Sequence, residues 1–144
     1  MQASEPIKIS IGRPYDEVYD FLADPKNFPR WAANPGSGME HVAGNDYLVD
    51  LPVGRRVIRL TPHNKFGVLD YQVIDKGRPV GQVVPVRLHA NGEGCELVLI
   101  WLQRPGAGEA QFRSDVEWVR SDLARLKSLL ENRVAPTPRT PPGS

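Results

Sequence analysis

The run from Gly108 to Glu131 most constrains how this chain can fold. Its apolar residues are Phe112, Val116, Val119, Leu123, Leu126 and Leu130, spaced by alternating steps of four and three. At 3.6 residues per turn these side chains form one narrow stripe on a helix. Arg113, Glu117, Arg120, Ala124, Lys127 and Glu131 occupy the opposite side, and no Pro or Gly interrupts the run. Burying the stripe is worth at most roughly 1.5–3 kcal/mol per side chain. A helix cannot collect that alone, so the upstream chain must supply a broad apolar surface.

The upstream pattern supplies a sheet. Ile7, Ile9 and Ile11 alternate with polar residues, which predicts a short strand. Gly12-Arg13-Pro14 ends it, and Tyr15, Val18, Tyr19 and Leu22 then repeat at helical spacing. Asp24-Pro25 predicts a cap and a second short helix burying Phe28 and Trp31. A turn cluster follows at 34–38. From Met39 to Arg104 the period becomes two. Strands are expected at 39–43, 47–52, 55–61, 67–75, 79–90 and 94–104, joined by short breaks into an antiparallel meander.

Turn chemistry sets a trial register. A turn at Val53-Gly54 pairs Val49 with Ile58 and Tyr47 with Leu60. The next two closures pair Ile58 with Tyr71, Leu60 with Leu69, Tyr71 with Gln82 and Leu69 with Val84. A turn at Asn91-Gly92 pairs Gln82 with Trp101, Val84 with Leu99 and Val86 with Leu97. These registers gather apolar residues on one face. Asp50, Val57, Arg59, Asp70, Arg87, His89 and Glu96 fall on the other, with Arg59 opposite Asp70 as a cross-strand ion pair. The apolar face is the surface that the terminal helix needs. Residues 1–132 are therefore expected to form one domain, followed by a Pro-rich disordered tail at 133–144.

Composition excludes several classes. The 144 residues are 40% hydrophobic and 24% charged, with a net charge of +1, as expected for a globular domain. No basic block suits nucleic acid. No apolar run approaches the ~18 residues of a membrane span, and no signal pattern opens the chain. The single cysteine, Cys95, has no partner for an internal disulfide, which suggests a reduced, cytoplasmic setting.

The order of elements and three stretches resemble a known group. PYDEVYDFLADPKNFPRWA, FGVLDYQV and NGEGCELVLIWLQRPG are similar to the START-related superfamily of polyketide cyclases/dehydrases and lipid-transport proteins (SRPBCC), in particular its small bacterial members. The resemblance spans residues 5–131. It implies an α+β helix-grip fold, with about seven antiparallel strands curved around a long C-terminal helix and two short helices after strand 1. It also implies roles ranging from transport to cyclisation. Relatives are expected to carry histidine where this chain has Tyr71, so an acid–base role for that histidine does not transfer.

Parity turns Tyr71, Gln82 and Trp101 inward as one row across three strands. A phenol, a carboxamide and an indole would orient a small, largely apolar ligand, with Leu69, Val84, Leu99, Phe112, Val116 and Val119 as its walls. Tyr47 is also inward by parity but near the sheet edge. His41 and His89 fall outward and His63 lies in a loop, so neither a metal site nor a catalytic triad is expected, and no cofactor is. Cys95 reads as a small buried hydrophobe. Asp115 and Asp122 flank the helix stripe, as acid–base groups at a cavity mouth or as a solvated, ion-paired edge. Trp118 shares that flank, as a lid, a self-association contact or, preferably, packing against the first helices. The leading expectation is a binding module, monomeric or homodimeric. A cyclase or dehydratase is the alternative, with Tyr71 its only weak catalytic candidate. An interaction or regulatory protein with a filled core is the third.

Overall fold

A computed structural model describes residues 1–32 and 37–132. The expected turn at 34–36 and the tail at 133–144 lie outside them.

Strand β1 (Ser4–Ile11) opens the chain. Pro14 precedes α1 (Tyr15–Ala23), whose amide at Val18 closes the first turn on Pro14 O at 3.1 Å. The Asp24 side chain caps a single 3-10 turn at Pro25–Asn27, and α2 (Phe28–Trp31) follows. Seven further strands come next: β2 (Met39–Ala43), β3 (Asp46–Leu51), β4 (Gly54–Leu60), β5 (Tyr71–Asp75), β6 (Arg78–Val84), β7 (Val86–Asn91) and β8 (Gly94–Leu102). The terminal stripe forms α3 (Glu109–Asn132).

All strand pairs are antiparallel. Five strands run in the order β2-β3-β4-β5-β6 and three in the order β1-β8-β7. The expected strand 79–90 is split in two, giving eight strands where seven were expected. Pro85 is the cause, because it has no N–H for a ladder and lets the chain bend. β6 therefore pairs with β5, while β7 crosses to β8. The early part of the expected strand 67–75 divides likewise. Gly67 to Leu69 bonds to β7, and the chain joins β4 and β6 only from Tyr71.

Asp70 sits at this junction. Its carboxylate accepts the Val86 amide at 2.7 Å and the Arg87 guanidinium. The expected Arg59–Asp70 pair does not form. Arg59 opposes Gln72 and grips Asp46 instead, at 2.8 and 2.9 Å.

The registers depart from expectation by two residues, not one. β3 turns at Pro52-Val53, so Tyr47 faces Ile58, and β7 turns at Gly92-Glu93, so Val86 faces Leu99. Leu60, not Ile58, faces Tyr71. A slide of two keeps every side chain on its face, whereas a slide of one would invert the sheet. Val49 and Ile58 accordingly remain fully buried.

The hairpin β5–β6 differs. It starts in the expected register, with Asp75 opposite Arg78 and Val73 opposite Val80, then shifts so that Tyr71 faces Val84. The extra residues form a bulge around Gly81, at φ +75°, a conformation glycine adopts without steric cost.

α3 crosses the sheet parallel to β1. Arg120 pairs with Glu5 at 3.1 Å, Lys127 donates to Ser10 O, and Glu131 accepts the Gly12 amide at 2.8 Å. Leu123, Leu126 and Leu130 are sealed against Ile7, Ile11, Leu97 and Leu99 in one core. Cys95 is buried in the same cluster, and burial pushes its thiol pKa up. Among the described residues no helix is long and apolar enough to cross a membrane.

Candidate functional site

The core closes under the C-terminal half of α3 but not under its N-terminal half. There the sheet and the helix enclose a cavity of about 590 Å³, within the ~300–1,000 Å³ range of small-molecule sites. β5 contributes Tyr71 and Val73, the bulged β6 contributes Val80 and Val84, and the end of β8 contributes Trp101. Phe28 of α2 and Val119 of α3 complete the apolar wall. Phe28 meets the Tyr71 ring edge-on, with centroids 5.7 Å apart.

Two of the three expected orienting residues line this cavity from the inside. The Trp101 indole Nε1 is buried and has no hydrogen-bond partner among the described residues. Such a donor costs roughly 1–3 kcal/mol. Tyr71 also faces the cavity, and its hydroxyl bonds to no described residue. Burial, and then the negative charge of Asp122, push its pKa up.

Gln82 corrects the expected row. It is exposed and reaches the cavity only at its rim. The bulge at Gly81 is the reason, because it puts Val84 where Gln82 was expected, opposite Tyr71. Continuing the β7–β8 register past Pro85 brings Val84 level with Trp101, consistent with the Ile100 amide bonding to Pro85 O. The row is therefore Tyr71, Val84, Trp101. Of the expected walls, Val84 and Val119 line the cavity. Leu69, Leu99, Phe112 and Val116 pack into the solid core instead. Tyr47 is half-buried against that core, beside His41.

Both helix carboxylates reach the site. Asp122 is 8% exposed, and burial raises its pKa to about 6, opposed by Arg125 at 3.3 Å. Arg125 is itself anchored to Trp31 O at 2.8 Å. Asp115 takes the ion-paired role and is largely shielded from solvent. Arg104 grips it with two bonds of 2.8 and 3.1 Å, and Gln111 adds a third at 2.9 Å. Trp118 does not pack beneath the first helices: it is half exposed at the cavity mouth. Arg56, from β4, lines the same mouth and is the functional candidate that the sequence reading missed. Its position two residues from Ile58 on the inward face was the available signal.

The three histidines are exposed and do not converge, and no metal-binding cluster exists among the described residues. The donor set instead suits an uncharged polar group on an apolar body. It offers one indole N–H, one phenol and one carboxyl poised near neutral pH.

An antiparallel sheet wrapped on a long C-terminal helix, with short helices after the first strand, is the helix-grip arrangement. No protein-family model matches the chain, and no curated protein does. Solved structures do. An uncharacterised protein from Bacillus thuringiensis superposes with a TM-score of 0.71 at 13% identity, over 88% of this chain and 98% of its own. The Aha1 dimer from Colwellia psychrerythraea gives 0.66 at 14% identity, over 90% and 96%. DynU16, from the dynemicin biosynthetic locus, gives 0.63 at 21% identity, over 89% of this chain and 47% of its own. At these identities the likeness shows the fold alone.

Proposed function

We propose that this chain binds a small, largely apolar molecule in the cavity between β5, β6, β8 and α3, as a member of the START-related superfamily that its motifs resemble. The observation that carries this reading is the cavity of about 590 Å³ with the unpartnered Trp101 Nε1 in its wall. Desolvating the ligand's apolar body supplies the affinity. Tyr71 and Asp122 select its polar group, and Trp101 supplies the indole face and a donor in search of an acceptor.

Native mass spectrometry of freshly purified protein tests the reading directly. A retained small molecule supports it. Titration with a fatty acid or a polycyclic aromatic probe should show binding that Trp101→Ala weakens by about tenfold or more. Parent protein that binds neither probe and retains nothing would refute it.

A second reading has one specific observation behind it. Asp122, with its pKa raised to about 6, influences a phenol in the same cavity. A carboxyl partly protonated at neutral pH is a general acid, and its conjugate base can take a proton back. That pair suits cyclisation or dehydration of a polyketide-like carbonyl compound, in keeping with the biosynthetic locus of DynU16. Turnover of such a substrate, lost in both Tyr71→Phe and Asp122→Asn, would support it. Turnover that survives both changes would remove these residues from the chemistry. The Colwellia Aha1 structure is a dimer, and sedimentation of this chain would show whether it is a monomer or a homodimer.

A further inference from the structure

An aromatic surface lies beside the C-terminal end of α3. On α1 the Tyr15 and Tyr19 rings stack, 6.1 Å apart and inclined by 8°. The His63 ring stands edge-on to Tyr19, with centroids 4.9 Å apart. Gly67 backs onto Tyr15 so closely that a Cβ there would stand 2.9 Å from the phenol oxygen, and the preceding residue, Phe66, is 81% exposed. Tyr19 is buried and Tyr15 half-buried, while Pro14, Pro62, His63 and Phe66 are exposed. Asn64 fixes the loop. Its side chain donates to Pro62 O and Val68 O at 3.0 and 2.9 Å and accepts the Phe66 and Val68 amides at 2.9 and 3.1 Å. Its own amide donates to the Tyr19 hydroxyl at 2.8 Å. Phe66 is thus held in water on a tied frame, and a preorganised aromatic loses little freedom when it is covered.

The place where α3 ends identifies what covers it. Glu131 accepts the Gly12 amide at 2.8 Å, so the chain leaves α3 beside Gly12, three residues before Tyr15. It continues through residues 133–144, with prolines at 136, 138, 141 and 142. Proline favours the polyproline II conformation, which docks on aromatic-lined surfaces. At ~3.1 Å per residue, the seven residues 136–142 reach ~22 Å. Gly12 and Tyr15 are at most ~11 Å apart along the backbone. Charge agrees. Asp16 and Asp20 are exposed one turn apart on α1 and form no ion pair with any described residue. The Asp16 charge reaches the Tyr15 phenol. Arg13 is engaged by Glu17 at 2.7 Å, which leaves Lys65 as the exposed cation of the loop. Residues 133–144 carry Arg133 and Arg139 and no acidic side chain.

We propose that residues 133–144 fold back on this surface as a strap across α1 and the 62–67 loop. Pro138, Pro141 and Pro142 cover Tyr15, His63 and Phe66, and Arg133 and Arg139 face Asp16 and Asp20. Attachment to α3 makes the contact intramolecular, which favours the chain's own segment over a Pro-rich segment supplied from elsewhere. The cavity lies under the other half of α3, so the strap stands whether or not a ligand binds there.

Paramagnetic labelling of the full chain tests it. A nitroxide is attached at Ser144→Cys, and Cys95, 1% exposed, does not compete for the label. In amide NMR spectra the label should broaden residues 15–20 and 62–67. It should leave Lys76 and Gly77 sharp, since their turn lies at the opposite end of β5 from that loop. Phe66→Ser and Arg139→Glu should each reduce the broadening by about threefold or more. Phe66 is exposed, so the melting temperature and far-UV dichroism of Phe66→Ser should match the parent. Broadening spread evenly over the surface, or unchanged in either variant, overturns the proposal. A mixture of nitroxide-bearing chains with isotope-labelled chains that carry no nitroxide is the second arm. Equal broadening of the same residues in that mixture also overturns the proposal, because the surface then receives a second copy.

Discussion

The Asp122 carboxylate on α3 acts on the Tyr71 phenol on β5 across the cavity, and its negative charge is one of the two causes that push the phenol's pKa up. The two residues are 51 positions apart and belong to different elements. The carboxylate is in turn held above the ordinary aspartate range, to about 6, by its own burial.

That burial makes a stability prediction. In the unfolded chain Asp122 loses its proton near 3.8, but in the folded protein only near pH 6. Between those values the folded state carries more protons, so stability falls as pH rises through the window and is level above it. The loss is on the order of 3 kcal/mol. Urea unfolding at pH 4.5 and pH 7.5 should show about 2 kcal/mol of it in the parent, and Asp122→Asn should flatten it. An equal pH response in both proteins would show that Asp122 does not titrate there.

Glu96 should act in the opposite sense. Ser10, Lys8 and Asn91 donate to it, which lowers its pKa from 4.5 to about 2 and ties β8 to β1 and β7. Its contribution is present above pH 4.5 and is lost as pH falls toward 2. Acid unfolding of Glu96→Gln should therefore be less steep below pH 4.5 than that of the parent.

Replacing Trp101 with Phe separates fold from site. The change deletes a buried donor that has no partner among the described residues and leaves only a modest void. Stability in urea should change by less than about 1 kcal/mol, in either direction. A ligand carrying an oxygen acceptor should lose affinity relative to its hydrocarbon analogue. Equal loss for both ligands would mean that the ring's surface, and not its N–H, does the selecting.

Gly67 should tolerate no side chain. Its φ is +68°, and a Cβ would stand 2.3 Å from Leu88 O and 2.9 Å from Tyr15 Oη. Gly67→Ala forces strain where 67–69 joins β7, and should cost more than about 1 kcal/mol. The cost would appear as a lower melting temperature with unchanged far-UV dichroism below it. By comparison, Leu123→Ala, at a fully buried stripe position, should cost roughly 2–5 kcal/mol in urea.

The sequence by itself determined the elements and the faces. Alternation in Ile7, Ile9 and Ile11, and the four–three spacing from Phe112 to Leu130, were enough to place β1 and α3, because burial acts on one side of a strand or helix whatever its partner. Facing also survived the errors in turn position, since those errors came in twos and strand periodicity is two. What only the tertiary structure decided was the site. Pro85 moved the chain from one ladder to the other, and Gly81 opened a bulge that exchanged Gln82 for Val84 beside Tyr71. Asp122 was legible as a residue beside the stripe. Its raised pKa was not, because its burial depends on elements distant in sequence, which bring Phe28 and Tyr71 to the same cavity. Local periodicity records which way a side chain faces, whereas a cavity is the space left where distant elements fail to meet.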